Sequence, residues 1–400
     1  MDGNKIKRIG IDARFYGPIG KGLGRYTKEV VDRVIKLDEQ NEYVIFLSRE
    51  NFAEFKTANP KVRKVLSRAR WYTLAEQILM PYLIFRENLD LMHFPHFNVP
   101  VFCPVKFIVT IHDLILTKYP SQRATTLGPL FYKLKHFLYK VVINSAVKKS
   151  TKIITVSEFT KSDIIKQFNI KDDKIVVTCE GVADNLKNAV SGNTESVLGK
   201  YEIKKPFLLY VGNAYPHKNL EKLIEVFSKT DAFPMKEGEE GINDFKSPYT
   251  PFVKGGKLTL VLVGKDDYFY NRVKDFAKRF LSSNIIFPGF VPDYDLSVLY
   301  RQAVAYIFPS LYEGFGLPPL EAMAAGCPVI SSNAASMPEI LDDSALYFDP
   351  TSTDDMEKKI RLIVSDEKLR KELIVKGNER IKKYSWDECA RKTLEIYNKF

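Results

Sequence analysis

The chain has 400 residues, enough for two or three domains with sizeable cores, and its 45% apolar and 27% charged residues exclude global disorder. No run of about 20 apolar residues is present, no apolar leader follows the charged N-terminus, and four scattered cysteines without a CxxC argue against a zinc ribbon or a disulfide framework, so a cytoplasmic setting is expected. The net charge of +11 is lopsided: residues 1–190 hold 31 basic and 19 acidic residues, residues 191–400 hold 29 and 30, and the basic half suggests an anionic partner such as a phosphorylated substrate, an acidic membrane or nucleic acid.

The elements alternate from the start. Residues 5–12 read as a buried strand, followed by a loop with Gly17, Gly20, Gly22 and Gly24 and a helix over 25–37. Strands follow at 43–47, 62–66, 89–93 and 106–111, with a helix at 73–85. Residues 127–149 form a long helix interleaving Phe131, Leu134, Phe137, Leu138 and Val141 with lysines; an amphipathic core helix with a solvated face is favoured over an interfacial helix on anionic lipid. A strand at 152–156, a helix at 160–168 and a strand at 175–178 close the first half.

The pattern restarts near Tyr201, after a polar linker at 185–194. Strands at 206–212, 258–264, 285–287, 304–308 and 329–331 alternate with helices at 219–228, 269–281, 295–302 and from 319, and helical patterning fills 356–365, 367–384 and 386–398. Residues 231–256, rich in Gly and Pro, read as a surface insertion. Strand–helix alternation in two runs predicts an α/β protein with two parallel sheets and ligands bound at strand carboxyl ends, in the cleft between the sheets.

Three stretches carry chemistry. The glycine loop before Arg25 suits a phosphate or a crowded sugar edge, yet it is neither GxGxxG nor a P-loop. In the second, Gly212 ends a strand, Asn213 follows, and Lys218 stands near a helix start, a good place for a diphosphate. In the third, Glu313 and Glu321 bracket seven residues, and Gly314 and Gly316 leave N–H groups accessible beside a helix N-terminus. Such a stretch offers donors to phosphate oxygens and carboxylates to hydroxyls.

The Glu313–Glu321 spacing resembles the E-x7-E motif of retaining family 4 glycosyltransferases with the GT-B fold. The Gly212-to-Lys218 stretch, the glycine loop before Arg25, Thr110-Ile-His112-Asp113 and residues 155–160 match the family in the same order. The resemblance implies two facing Rossmann-like domains with an interdomain cleft: residues 1–190 for the acceptor, 195–385 for the nucleotide-sugar, and a helix at 386–400 crossing back. It implies that Glu321 binds ribose hydroxyls, that Glu313 contacts the donor sugar, and that the Phe315, Gly316 and Leu317 backbone faces sugar and diphosphate. Lys218 would neutralise the diphosphate, His112 would lie against the donor sugar, and Gly20, Gly22, Gly24, Gly212, Asn213, Gly264 and Val291 would complete the donor site. Members often carry Arg where Asn213 stands; Arg14, Arg25 or Lys265 are the candidate substitutes.

The expected reaction is metal-independent retaining transfer of a hexose, favoured as mannose from GDP-mannose, to a saccharide or lipid-linked acceptor in surface polysaccharide assembly. A UDP-sugar donor is the alternative. No cofactor or metal is expected, and an anionic membrane surface is a candidate partner. Asp293-Tyr-Asp295 is read as helix capping rather than a metal site. His93 and His96 are read as packed or acceptor-side residues facing the cleft rather than zinc ligands. An NAD-dependent oxidoreductase is disfavoured by the missing fingerprint, and a nucleic-acid-binding protein by the lack of a recognisable binding motif.

Overall fold

The structure is a computed structural model and describes residues 6–120, 129–182, 194–229, 257–280 and 284–400. The predicted insertion at 231–256 and all of the predicted linker except Thr194 lie outside the described residues. The chain divides into two compact units, Met1–Gly181 with Ser385–Phe400, and Val182–Tyr384.

The first unit is built on a parallel sheet of order β3-β2-β1-β4-β5-β6-β7. Its strands are β1 Arg8–Asp12, β2 Glu42–Leu47, β3 Val62–Leu66, β4 Leu91–Phe94, β5 Phe107–Ile111, β6 Lys152–Thr155 and β7 Ile175–Val177. The central strands are almost wholly buried because helices cover both faces, which is why they read as continuous apolar runs. The order reverses between β1 and β4, so the glycine loop after β1 and the residues after β4 and β5 rise beside a topological switch point, where α/β sheets bind ligands.

The second unit repeats the plan with the order β10-β9-β8-β11-β12-β13. These strands are β8 Phe207–Val211, β9 Thr259–Val263, β10 Ile285–Gly289, β11 Ala305–Phe308, β12 Val329–Ser332 and β13 Ala345–Phe348. Here the switch lies between β8 and β11, which pair directly. The loop carrying Asn213 and Lys218 and the loop carrying Glu313 therefore leave neighbouring strands in the same direction. Strand β13 escaped the sequence reading because its four residues sit between short polar turns.

The final helix, Trp386–Asn398, packs against Lys21–Leu37 in the first unit. Lys7 Nζ donates to the Tyr397 and Asn398 carbonyls, and Arg33 pairs with Asp387 at 2.7 Å. Gly181 lets this helix start close by, since a Cβ there would stand 2.2 Å from the Trp386 nitrogen.

Three readings are corrected. The helix Pro129–Lys149 does pack on the core, but not by the expected residues: Ile143, Ala146 and Val147, with Tyr139 and Val142 against them, face inward, whereas Leu134, Phe137, Leu138 and Val141 are exposed. Asp295 does not cap its helix: Pro292 holds the cap position, and the Asp295 carboxylate accepts from Lys200 Nζ at 2.7 Å and Tyr201 Oη at 2.6 Å. His93 faces no opening but is fully buried between Tyr397 Oη at 2.6 Å and Thr110 Oγ1 at 2.9 Å.

Candidate active site

In the second unit, the chain leaves β8 through Gly212 and turns sharply. Tyr210 Oη donates to the Asn213 carbonyl at 2.7 Å, and Asn213 Oδ1 accepts the Tyr215 N–H, so Asn213 shapes its own turn. Gly264, at the end of β9, has no room for a side chain, since a Cβ would stand 2.2 Å from the Gly212 carbonyl oxygen. Its glycine is thus explained by packing of the two loops. Val291 is buried in the loop after β10.

Lys218 lies in a one-turn 3-10 segment, Pro216–Lys218, rather than on the following helix. Asn219 adopts a left-handed conformation that ends this turn and starts Leu220–Lys229. The offset aims the lysine across to the neighbouring loop: Lys218 Nζ donates to Glu313 Oε1 and lies 5.3 Å from the centre of the Phe308 ring. Both side chains of this ion pair are only 11% exposed. Beside it, burial pushes His217 down to about 4, with the Lys218 charge adding to the effect, so the ring is neutral near pH 7.

The loop after β11 is pinned from below. Ser336 Oγ donates to the Glu313 carbonyl at 3.0 Å, and Ser332 Oγ to the Ser310 carbonyl at 2.6 Å. Gly316 takes φ of +91° at the cap position of Leu317–Ala324, and a Cβ there would meet Met337 at 2.4 Å. Pro318 and Pro319 fill the first turn, so this helix start lacks two of its four N–H donors. The N–H groups of Phe315, Gly316 and Leu317 meet no protein acceptor among the described residues. The N–H groups left open here are therefore those of the loop more than those of the helix. Glu321 is buried on the helix, and its charge, like that of Glu313, adds to burial in raising Tyr306 well above its usual range. Sequence reasoning missed Ser310, whose buried hydroxyl has no partner among the described residues, three residues before Glu313.

In the first unit, His112 follows β5. Its Nε2 lies 3.0 Å from the Pro95 carbonyl oxygen and its Nδ1 lies 3.2 Å from Glu180 Oε1, while the Tyr26 ring packs edge-on at 4.5 Å. Both neighbours are acceptors, so both nitrogens carry protons when both bonds form. Burial works against that charge, but Glu180, the Pro95 carbonyl and Asp113 outweigh it and raise His112 above its ordinary value. His112 is thus held in place by two acceptors that favour its charged form.

The glycine loop wraps into Pro18–Gly20 and then Lys21–Leu37. A Cβ on Gly20 or Gly24 would strike the Phe15 carbonyl oxygen, whereas Gly22 has nothing within 4 Å. Only Gly22 is left without a packing reason for its missing side chain. Arg14 is no substitute phosphate cation: it is fully buried, held by Asp12 at 2.6 and 2.7 Å, by Glu76 at 2.5 Å and by the Ala69 carbonyl. Lys265 is exposed beside Gly264 in the second unit, the unit that also carries Lys218 and Glu313. His96 is held by Tyr72 Oη at 2.8 Å, so the HxxH pair diverges. Among the described residues no group of three or more His, Cys, Asp or Glu side chains is arranged to hold a metal ion.

The family model described as Glycosyl transferases group 1 matches residues 197–380, and the one described as Glycosyltransferase Family 4 matches residues 20–186. The chain belongs to glycosyltransferase family 4. This glycosyltransferase is 28% identical over 395 residues to O-antigen chain mannosyltransferase B of Escherichia coli, covering 94% of this chain and 95% of that protein. Its fold is similar to that of sucrose-phosphate synthase from Thermosynechococcus elongatus, with a TM-score of 0.73, 17% identity and 98% of each chain covered. It is also similar to Anabaena Alr3699/HepE in complex with UDP and glucose, with a TM-score of 0.70, 14% identity, and 99% of this chain and all of that one covered. Two Rossmann-like parallel sheets and these neighbours make it an α/β enzyme of the GT-B class.

Proposed function

We propose that this glycosyltransferase moves mannose from GDP-mannose to a saccharide or lipid-linked acceptor in surface polysaccharide assembly, with retention of anomeric configuration and without a metal. The observation that carries the donor site is the buried Lys218–Glu313 pair beside the unengaged N–H groups of Phe315, Gly316 and Leu317. The mannosyl assignment is supported by end-to-end similarity to an O-antigen mannosyltransferase.

In this reading, the donor diphosphate enters beside Lys218, and the loop amides receive its oxygens. Glu321 accepts from the ribose hydroxyls and Glu313 from the sugar. The bond from the anomeric carbon to the diphosphate oxygen breaks, and that oxygen takes the electron pair. Lys218 and the amides stabilise the charge where it develops, in a dry and preorganised setting. The acceptor hydroxyl attacks from the same face, and its proton passes to the departing phosphate. Lys265 supplies the second phosphate cation in place of the arginine absent at Asn213. His112, held by Glu180 and the Pro95 carbonyl, is the proposed contact to the donor sugar.

A UDP-sugar is the second reading, favoured by the fold similarity to a protein solved with UDP and glucose. Thermal unfolding with GDP, UDP, NAD and a short oligonucleotide separates the readings, because a ligand at 100 times its Kd adds about 2.7 kcal/mol. Stabilisation by GDP but not UDP is expected. A response to UDP alone replaces the donor, and a response to NAD or the oligonucleotide alone removes the nucleotide-sugar reading.

A further inference from the structure

Building on the proposed transfer to a saccharide or lipid-linked acceptor, we propose that Trp71 and Tyr72 form a stacking platform for a pyranose ring at the receiving end of the acceptor, so that the protein extends sugars rather than a bare lipid phosphate. Tyr72 stands between β3 and the helix Glu76–Arg86 and is 55% exposed. Its φ is +59°, a left-handed backbone that a bulky aromatic residue rarely adopts. Two bonds hold it there: the Tyr72 N–H donates to Glu76 Oε2 at 2.9 Å, and Tyr72 Oη lies 2.8 Å from His96 Nε2. Glu76 is itself fixed by Arg14 and by Asn98 Nδ2 at 2.7 and 2.9 Å. A strained backbone, over-determined by buried partners, here delivers a large ring to solvent instead of to the core, and such strain concentrates at ligand sites.

The ring has an aromatic base. Phe15 and Trp71 stack at 4.2 Å, 8° from parallel, and the His96 ring packs edge-on to Phe15 at 5.5 Å and against Phe97 at 4.1 Å. The Tyr72 and Phe97 rings lie 6.3 Å apart. Phe15 and Phe97 are buried, so the two outer rings rest on packed ones. Phe15 follows β1, Trp71 and Tyr72 follow β3, His96 and Phe97 follow β4, and Asp113 follows β5. The cluster therefore lies at strand carboxyl ends beside the switch point, where α/β sheets bind ligands. It adjoins His112, whose Nε2 is 3.0 Å from the carbonyl of Pro95, the residue before His96.

Chemistry selects the occupant. A pyranose offers a face of C–H groups and a rim of hydroxyls, and slightly positive C–H groups settle on the negative face of an aromatic ring. The rings are neutral near pH 7: burial, with the His112 charge adding to it, pushes His96 down to about 3, and burial raises the Tyr72 phenol, with the Glu76 charge adding to it. The charges acting on Tyr72 are the carboxylates of Glu76 and Asp113 and the guanidinium of Arg14. A neutral ring with hydroxyls to donate suits this setting better than a lipid phosphate, for which Arg14, fully buried and held by Asp12 and Glu76, is out of reach. Arg70, exposed two residues before Tyr72, is the cation that a phosphate would need instead.

Trp71 and Trp386 are the chain's two tryptophans, and Trp386 is buried, so Trp71 is a built-in reporter. The test is a fluorescence titration of the full chain, without donor, using mannobiose, maltose and decyl phosphate as probes. A saturable change in emission with a disaccharide is expected, and Trp71→Phe should abolish it. Tyr72→Gly suits the left-handed backbone and should fold, yet it should raise the disaccharide Kd about three- to tenfold, one stacking partner being lost. Its thermal response to nucleotide should match wild type, and Arg70→Gln should bind the disaccharide unchanged. No emission change with either disaccharide, a change that persists in Trp71→Phe, or undiminished binding by Tyr72→Gly overturns the proposal. So does a response to decyl phosphate alone that Arg70→Gln removes, which would assign the site to a lipid phosphate. If wild type shows no response to nucleotide, the donor reading falls instead, and the titration, which needs no donor, still judges the platform.

Discussion

Replacing Lys218 by Met isolates the ion pair at the centre of the donor site. Lys218 and Glu313 are each only 11% exposed, so the substitution leaves a carboxylate in a poorly hydrated loop with its ammonium gone. Stranding one member of a buried pair costs about 3–5 kcal/mol. For a unit of this size each kcal/mol is worth about 2–4 °C, so the lower end of that range lowers Tm by roughly 6–12 °C. Lys218→Met/Glu313→Gln removes both charges and should recover most of that loss. Transfer activity should not recover: losing a preorganised donor to the developing oxyanion costs roughly 100- to 1000-fold in kcat. Differential scanning calorimetry and donor-consumption rates on the three proteins check the pattern. A Tm within about 1 °C of wild type for Lys218→Met, or equal Tm values for single and double variants, would refute the assignment of a buried pair.

Glu180→Gln should lower the His112 pKa, read by NMR titration of the ring. The raised folded value means that the pair stabilises below about pH 6.5 and that this contribution fades as pH rises through the folded pKa, so wild type and variant should converge in stability on the alkaline side. A gap independent of pH contradicts this. His93 and His96, pushed down to about 3 by burial with the His112 charge adding to it, act in the opposite sense: they cost stability as pH falls below about 6.5, and His93→Phe should flatten that acid limb in urea titrations. Gly316→Ala should destabilise by about 1–3 kcal/mol through its left-handed φ and the close Met337 contact, which urea unfolding would detect. Lys265→Gln should raise the donor KM while leaving Tm unchanged; an unchanged KM would remove Lys265 as the second phosphate cation.

Much of the fold was legible because parallel strands buried on both faces appear as short apolar runs bounded by turn residues. Strand β13 was not, since Ala345-Leu-Tyr-Phe is too brief to stand out between aspartates. The donor stretch was legible as a cluster of glycines, prolines and two glutamates, but not the partner of Lys218, which depends on β8 and β11 being neighbours. The proline-filled first turn was visible in the sequence, yet its cost to the helix N-terminus was overlooked. Arg14 resembled a free cation because sequence hides burial; Asp12, Glu76 and the Ala69 carbonyl consume its donors. The helix at 129–149 was misjudged for the same reason in reverse, because amphipathic spacing does not say which face meets the core.

The most direct test of the account is incubation of the full chain with GDP-mannose in the presence of a chelator, with the first sugar formed followed by proton NMR. The account predicts consumption of the donor, appearance of GDP and the α anomer as the first product, with no such turnover in Glu321→Gln. Consumption of UDP-glucose but not GDP-mannose, dependence on a divalent metal, or a β-configured first product would contradict it.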